Sequence, residues 1–483
     1  MNYKMMGRFI AQIFTIETVF MLPALAISLY GRESGAIFGF LITIGIVAVL
    51  TGLLHLICRG APNAFYAKEG LVCVGASWIA MSLLGSLPFY LSGAIPSFID
   101  AFFETVSGFT TTGSSILSDV ESLPKGLLYW RSFTHWLGGM GVLVFMLAFT
   151  SGEKGKGFTM HLLRAESPGP DVGKLVPRMR KTAAILYIIY VVLTIVNILF
   201  LLAGKMSLLD AVCTAFGTAG TGGFGTKNTS LIHFSPYLQN VTTVFMALFG
   251  INFSCYYLLL AGQLRSIFKD EELRMYLGII FVSIVLIVLN VRDYYSTLGE
   301  TVRHAAFQVS SIITTTGFSS YDFDLWPSFS KAVLMLLMIV GASAGSTGGG
   351  LKCSRLLLIL KVLRRNIHQI LWPRKVQAIR YNNRVMDEKV LDNANAYLAA
   401  YFIIIFISFL VVSMDNFSVG TNITAVLACF NNIGPGLEQV GPMCNFSAYS
   451  PLSKFVLILD MLAGRLEIFP ILVLFSRGTW THR

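Results

Sequence analysis

The sequence predicts an all-α, polytopic membrane protein, and three observations carry that prediction. Hydrophobic residues make up 55% of the 483-residue chain and charged residues only 13%, where soluble domains carry about a quarter. Apolar runs long enough to cross a bilayer, about 20 residues each, recur along the whole chain. Between them lie four short Thr/Ala/Asn-rich runs that close on glycine. They are Thr110-Thr111-Thr112-Gly113, Ala219-Gly220-Thr221-Gly222, Thr314-Thr315-Thr316-Gly317 and Asn431-Asn432-Ile433-Gly434.

The chain opens on Lys4 and Arg8 and then stays apolar to Tyr30. That run has no small-residue cleavage site behind a short apolar core, so it reads as a retained span rather than a signal peptide. Two spans come first, near 9–30 and 36–58. A pattern then repeats four times: a span, a shorter amphipathic segment ending in a glycine run, and a second span. Unit one uses 70–92, 97–114 and 125–150, and unit two uses 181–204, 207–223 and 236–262. Unit three uses 274–291, 297–318 and 328–365, and unit four uses 391–413, 419–435 and 450–476. The leading pair thus occupies 1–66, and the units occupy 67–170, 171–268, 269–385 and 386–483. The four terminal glycines are 109, 95 and 117 residues apart. So loose an internal repeat marks a pseudo-symmetric pore or transporter.

The middle segments are too short to cross and return as spans. They read as half-helices that enter and come back as loops, which membrane depth tolerates only where backbone is buried or lines a wet cavity. Ser97-x-x-Asp100 and Ser207-x-x-Asp210 are capping boxes that begin two of them. Each half-helix would point its C-terminal, negative end at a common axis, which favours a cation. The expected architecture is two leading transmembrane helices plus four helix–pore loop–helix repeats around a single central pore.

Positive charges set the orientation. Segment 151–181 holds seven Lys/Arg and segment 361–389 holds eight. In a ten-span chain they share one side with Arg265, Lys269, Arg274 and both ends, so both termini are expected to be cytoplasmic. The same basic loops read as topology signals and as a docking face for a partner or anionic membrane lipid, not for nucleic acid. The seven cysteines form no C-x-x-C pair and read as small core residues. Gly220 to Gly225 fits G-x-G-x-x-G, but no strand precedes it and no acidic residue follows at the required distance. Neither it nor Gly345 to Lys352 indicates a nucleotide on this subunit. With no nucleophile–base arrangement, the chain reads as a non-enzyme.

A dehydrated monovalent cation needs several oxygens at once, and a ring of backbone carbonyls supplies them without net charge. Glycine allows the backbone angles that such a ring requires. Single glycines in membrane helices are often only close-packing positions, but four runs at corresponding places in four units point to a shared pore.

The span–loop–span units, their glycines and the extra leading pair resemble the superfamily of Trk, Ktr and HKT potassium transporters. The resemblance covers essentially the whole chain and is nearest to the bacterial TrkH type, which has the two additional spans. It implies potassium uptake across the bacterial inner membrane, one pore per subunit, a homodimer, and a cytoplasmic nucleotide-binding ring partner of the TrkA type. In the family, glycine at all four filter positions accompanies potassium preference. Here these are Gly113, Gly222, Gly317 and Gly434. The residues before them would line the ion sites: Thr111 and Thr112, Gly220 and Thr221, Thr315 and Thr316, Asn432 and Ile433. Ile433 departs from the Thr pattern and offers only its carbonyl.

Two features read as a gate. The second span of unit three is broken by Gly341-Ala-Ser-Ala-Gly345-Ser-Thr-Gly348-Gly349-Gly350. So many Gly, Ala, Ser and Thr residues cannot hold a lipid-facing helix. They form an intramembrane gating loop, as the family uses, or else a kink or a close helix crossing. Arg465 lies inside the last span, where an ionisable residue faces a cavity or a partner. It is an electrostatic barrier beneath the filter, as the family resemblance implies, or half of an ion pair with Asp460 or Glu467, or a side chain snorkelling to the inner face. The competing function is a sodium-coupled secondary transporter of a small solute, which also uses broken helices. Four same-direction units argue against it.

Overall fold

The computed structural model describes residues 1–60, 67–141, 179–374 and 377–480. The leading pair is α1 (Tyr3–Gly31) and α2 (Ser34–Ile57), joined by a left-handed Arg32. On α2 only Ala36, Gly39, Phe40, Thr43 and Val47 are buried. That stripe has helical spacing, and the remaining apolar faces are left for lipid. Helix α1 packs on α2 and on the helices Ala67–Leu91 and Lys125–Gly139.

Four further long helices begin the units: α3 (Ala67–Leu91), α6 (Met179–Ala203), α11 (Glu271–Val291) and α15 (Glu388–Val412). With the leading pair, six helices among the described residues are long and apolar enough to cross a membrane. The half-helices are α4 (Phe98–Phe109), α7 (Leu208–Ala219), α12 (Leu298–Ile313) and α16 (Val419–Phe430). A 12-residue helix is about 18 Å long, a little over half of a hydrocarbon core of about 30 Å. These segments therefore end inside the molecule.

The caps differ from the expected pair of capping boxes. Ser207 accepts from the Asp210 N–H at 3.2 Å, as the box requires. Thr297 and Ser418 cap α12 and α16 in the same way, accepting from Glu300 and Thr421. Ser97 makes no side-chain cap bond. Its partner Asp100 is taken instead by Lys454, from the last unit, at 2.6 Å.

The second helices depart most from the expected straight spans. Those of units two, three and four are interrupted. Unit one has α5 (Lys125–Gly139), and the rest of the expected 125–150 span lies outside the described residues. In unit two α8 (Pro236–Phe249) and α9 (Phe253–Leu260) meet at 89°. The short α10 (Leu264–Phe268) follows. Unit three has α13 (Ser328–Val340) and α14 (Cys353–Leu371), separated by the glycine-rich loop. Beyond it a hairpin forms from β1 (Arg380–Tyr381) and β2 (Arg384–Val385). Unit four has α17 (Pro451–Arg465), then left-handed Glu467 and Ile468, then α18 (Phe469–Phe475) and α19 (Arg477–Trp480). Close packing accounts for where two of these helices end. A Cβ on Gly138 would lie 1.8 Å from the Phe109 carbonyl oxygen, and one on Gly464 would lie 1.8 Å from that of Phe430. There the second helix touches the end of its own half-helix backbone to backbone.

Replacing Ser207 by alanine is expected to cost about 1 kcal/mol, while Ser97→Ala, with no cap bond to lose, costs far less. Thermal unfolding of the two variants side by side in detergent checks the difference.

Candidate functional site

All four half-helices end in the same device. The cap residues Thr110, Gly220, Thr314 and Asn431 stay near helical angles. The next residues, Thr111, Thr221, Thr315 and Asn432, are left-handed at φ 56, 54, 58 and 55°. One residue further, the N–H of Thr112, Gly222, Thr316 and Ile433 returns to the carbonyls of Ser107, Gly217, Ser311 and Ala428, at 2.8–2.9 Å. This is a Schellman closure, which turns the chain sharply and satisfies the helix-end carbonyls internally. Glycine normally holds the left-handed position. A β-branched residue there is strained by about 1–3 kcal/mol.

Side chains hold the strained positions. Thr315 Oγ1 accepts from the Gly349 N–H at 2.6 Å. Asn432 Nδ2 donates to Thr112 Oγ1 and to the Met461 carbonyl, each at 2.9 Å. Thr110 and Thr314 pair with Thr112 and Thr316 through their hydroxyls, at 2.7 and 2.8 Å. Thr111 Oγ1 and Asn432 Oδ1 are buried with no protein partner.

The four loops close on one another. A Cβ on Gly113 would lie 2.1 Å from the Gly222 carbonyl oxygen, and one on Gly223 would lie 1.9 Å from that of Thr316. A Cβ on Gly317 would lie 2.1 Å from the Ile433 carbonyl oxygen, and one on Gly434 would lie 3.0 Å from that of Thr112. Loop one meets loop two, two meets three, three meets four and four meets one. The result is a closed ring in which the carbonyls of Thr112, Gly222, Thr316 and Ile433 hold equivalent places. A cavity of about 210 Å³ above it is lined by Gly113, Gly223, Gly317 and Gly434.

The ring corrects the sequence register by one residue in loop two. Gly223, with φ 79°, stands with Gly113, Gly317 and Gly434, at φ 84, 83 and 102°. Gly222 stands with Thr112, Thr316 and Ile433, and Gly220 is a cap residue. Gly222 is glycine for a different reason. Its Cβ would lie 2.3 Å from the His135 ring, which fills the space where the other loops carry a side chain. His135 Nδ1 donates to the Gly108 carbonyl at 2.8 Å, and its ring lies 4.1 Å from that of Phe224. The cap-to-glycine spacing carries the correct register. Ser97, Ser207 and Ser418 each lie sixteen residues before Gly113, Gly223 and Gly434. Thr297 lies twenty before Gly317 because α12 has 16 residues rather than 12.

A buried ion pair ties the first two loops together. Arg131 Nε meets Glu104 Oε1 at 2.6 Å, and the guanidinium also donates to the Gly225 carbonyl and to Ser115 Oγ, each at 3.2 Å. It lies 3.5 Å over the Phe224 ring. Glu104 in turn accepts from the Ile116 N–H at 2.9 Å. Such a pair does little for net stability while intact, but losing one partner costs about 3–5 kcal/mol.

Beneath the ring lies the glycine-rich loop of residues 341–352. Gly341, Gly345 and Gly350 are left-handed. A Cβ on Gly348 would lie 2.9 Å from the Thr314 carbonyl oxygen, and one on Gly349 would lie 2.4 Å from that of Asn431. The loop is thus pressed against the caps of α12 and α16. Arg465 donates to the Thr347 carbonyl at 2.8 Å, to that of Gly139 at 2.7 Å and to that of Gly138. The two carboxylates near it in sequence are engaged elsewhere: Asp460 accepts from Ser408 and Glu467 pairs with Arg355. Lys352, left-handed at φ 71° and buried, donates to the Gly348 carbonyl. In the sequence, Lys352 has no role beyond closing a run that indicates no nucleotide. Three glycines followed two residues later by a lysine were the available signal.

A profile of the TrkH family, described as a cation transport protein, matches residues 36–479. The chain belongs to the TrkH family. It is 35% identical over 470 residues to the Trk system potassium uptake protein TrkH of Escherichia coli K12, covering 95% of each chain. It is 33% identical over 489 residues to its counterpart in Halomonas elongata, covering 99% of this chain and 100% of that one. The crystal structure of the potassium transporter TrkH from Vibrio parahaemolyticus superposes with a TM-score of 0.89 at 29% identity, over 100% of both chains. The TrkH-family chain is accordingly a multi-pass membrane protein.

The corrected register is directly testable. Gly225→Ala meets nothing closer than 3.8 Å, while Gly223→Ala drives a Cβ into the Thr316 carbonyl at a left-handed position. Gly225→Ala is expected to purify as folded protein with an unchanged melting temperature. Gly223→Ala loses more than about 2 kcal/mol or the folded peak on size exclusion.

Proposed function

We propose that this chain takes potassium ions into the cell through a single pore whose selectivity filter is the ring of four loops. The observation that carries the reading is the closed cycle of glycine-to-carbonyl contacts. It gathers four equivalent carbonyls, from Thr112, Gly222, Thr316 and Ile433, at the convergent C-terminal ends of four half-helices. Carbonyl oxygens replace the hydration shell of a cation, and the helix ends add negative potential. The relatives' names as Trk potassium uptake proteins support potassium as the transported ion. Glycine at all four ring positions, counted with Gly223, supports potassium over sodium. Ile433 contributes its carbonyl alone. The inward drive is the membrane potential, about 2.3 kcal/mol per charge for 100 mV.

The loop of Gly345, Gly348, Gly349 and Gly350 is the gate in this reading, and Arg465 is both barrier and tether. Its positive charge repels the cation, and its bonds to Thr347, Gly138 and Gly139 hold the loop in place. The subunit binds no nucleotide itself. It works as a homodimer in the bacterial inner membrane, both termini cytoplasmic, under a TrkA-type nucleotide-binding ring. Those assembly statements rest on the family resemblance.

Flux of potassium, rubidium, sodium and lithium into liposomes holding the purified protein tests the filter. Potassium and rubidium are expected to be preferred, and Gly113→Ser, destabilised by the same kind of contact as Gly223→Ala, to narrow that preference in the fraction that purifies folded. Flux that required an organic solute would sink the proposal. Arg465→Ala is expected to raise potassium flux several-fold with selectivity unchanged. An unchanged flux in that variant removes Arg465 from the gate.

A further inference from the structure

Glu272 begins α11, beneath the glycine-rich loop, and is 2% exposed. Its Oε1 accepts from the Ala344 N–H at 2.6 Å and from the Ser354 N–H at 3.0 Å. One of these groups lies near the start of the loop and the other just beyond its end. One carboxylate oxygen therefore holds both ends. Its other oxygen, Oε2, accepts from the Tyr381 hydroxyl at 3.3 Å. Tyr381 is buried in the hairpin that emerges from the basic loop of unit three.

The hairpin is fastened to the same region by further polar contacts. Its turn residues Asn382 and Asn383 are both left-handed, as a two-residue hairpin turn requires. Asn382 Nδ2 donates to Asp270 at 2.8 Å, and its Oδ1 accepts from the Glu271 N–H at 2.9 Å. Lys361 of α14 pairs with Glu271 and donates to the Arg380 carbonyl at 2.6 Å. The tip residues Asn383, Arg384 and Val385 are exposed. The hairpin is thus an exposed tip on a buried tyrosine, and that tyrosine shares one carboxylate with the loop.

We propose that Glu272 is a positioning residue that latches the intramembrane loop closed, and that Tyr381 links this latch to the hairpin. Pulling the hairpin away removes the hydroxyl that orients the carboxylate, and both ends of the loop lose their common anchor. The proposal rests on the reading of residues 341–352 as the gate and names how that gate is held.

The test is potassium flux through the full-length protein in liposomes without any partner, with the potassium-to-sodium ratio read in parallel. Tyr381→Phe keeps the ring and removes only the hydroxyl. It is expected to raise flux about ten-fold, the order of one lost hydrogen bond to a charged group, with the ion ratio unchanged. Glu272→Gln retains an oxygen for the two loop N–H groups and is expected to give a smaller rise. Mere structural damage would lower flux instead. A third variant lacking Ser346 and Thr347 shortens the loop directly. If it raises flux while Tyr381→Phe and Glu272→Gln match the wild type, the latch is wrong and the gate stands. If the shortened loop also leaves flux unchanged, the gate reading falls and the latch with it.

Discussion

Backbone that enters a membrane and turns back there has no water to satisfy its N–H and carbonyl groups. In this chain the problem is solved identically four times, by a left-handed residue that closes a Schellman turn at the end of each half-helix. The turn has two consequences. It uses up the carbonyls of the last helical turn, and it aims the next residues across the end of the helix. Those residues then meet the neighbouring loop, glycine against carbonyl, around a complete cycle. The ring exists because each loop is stiff before it meets its neighbour. Strain at Thr111, Thr221 and Thr315 persists because the surrounding contacts over-determine the turn.

The interrupted second helices follow from the same geometry. Four chain ends reaching a common axis leave little room for straight helices beside them. Gly138 and Gly464 touch half-helix backbone, and unit two bends by 89° between α8 and α9. The loop from 341 to 352 fits into that bend, where the Ser343 N–H donates to the Gly250 carbonyl and the Phe253 N–H donates to that of Gly345. The cations of the region, Arg465 and Lys352, donate to carbonyls of this loop. A buried loop of this kind is kept in place by hydrogen bonds to its backbone, since its Gly, Ala and Ser residues bury little apolar surface.

Much of this was legible from residues alone. Thr-Thr-Thr-Gly at two half-helix ends, glycine at the others and the long apolar runs between them were enough for the class and the four half-helices. The misreadings are instructive. Gly222 looked like the ring glycine because Gly220-Thr-Gly222 mimics the pattern, yet its lack of a side chain answers to His135, about ninety residues earlier in the chain. Ser97 looked like a cap because Asp100 follows at the right spacing, yet Asp100 pairs with Lys454 from the far end of the chain. Glu272 gave no signal, because two of its partners are backbone groups that only the folded loop presents.

Local chemistry written into consecutive residues was determined by the sequence itself: the leading pair, the first span of each unit, the short half-helices, their glycines and the broken third unit. These depend on hydropathy, steric freedom and helix-breaking composition, which act within one or two turns. The tertiary structure alone decided the ring register, the bend in unit two, the partners of Arg465 and the carboxylate shared by loop and hairpin. Each is a contact between segments tens to hundreds of residues apart, and contacts at that range are set by which backbones can approach one another.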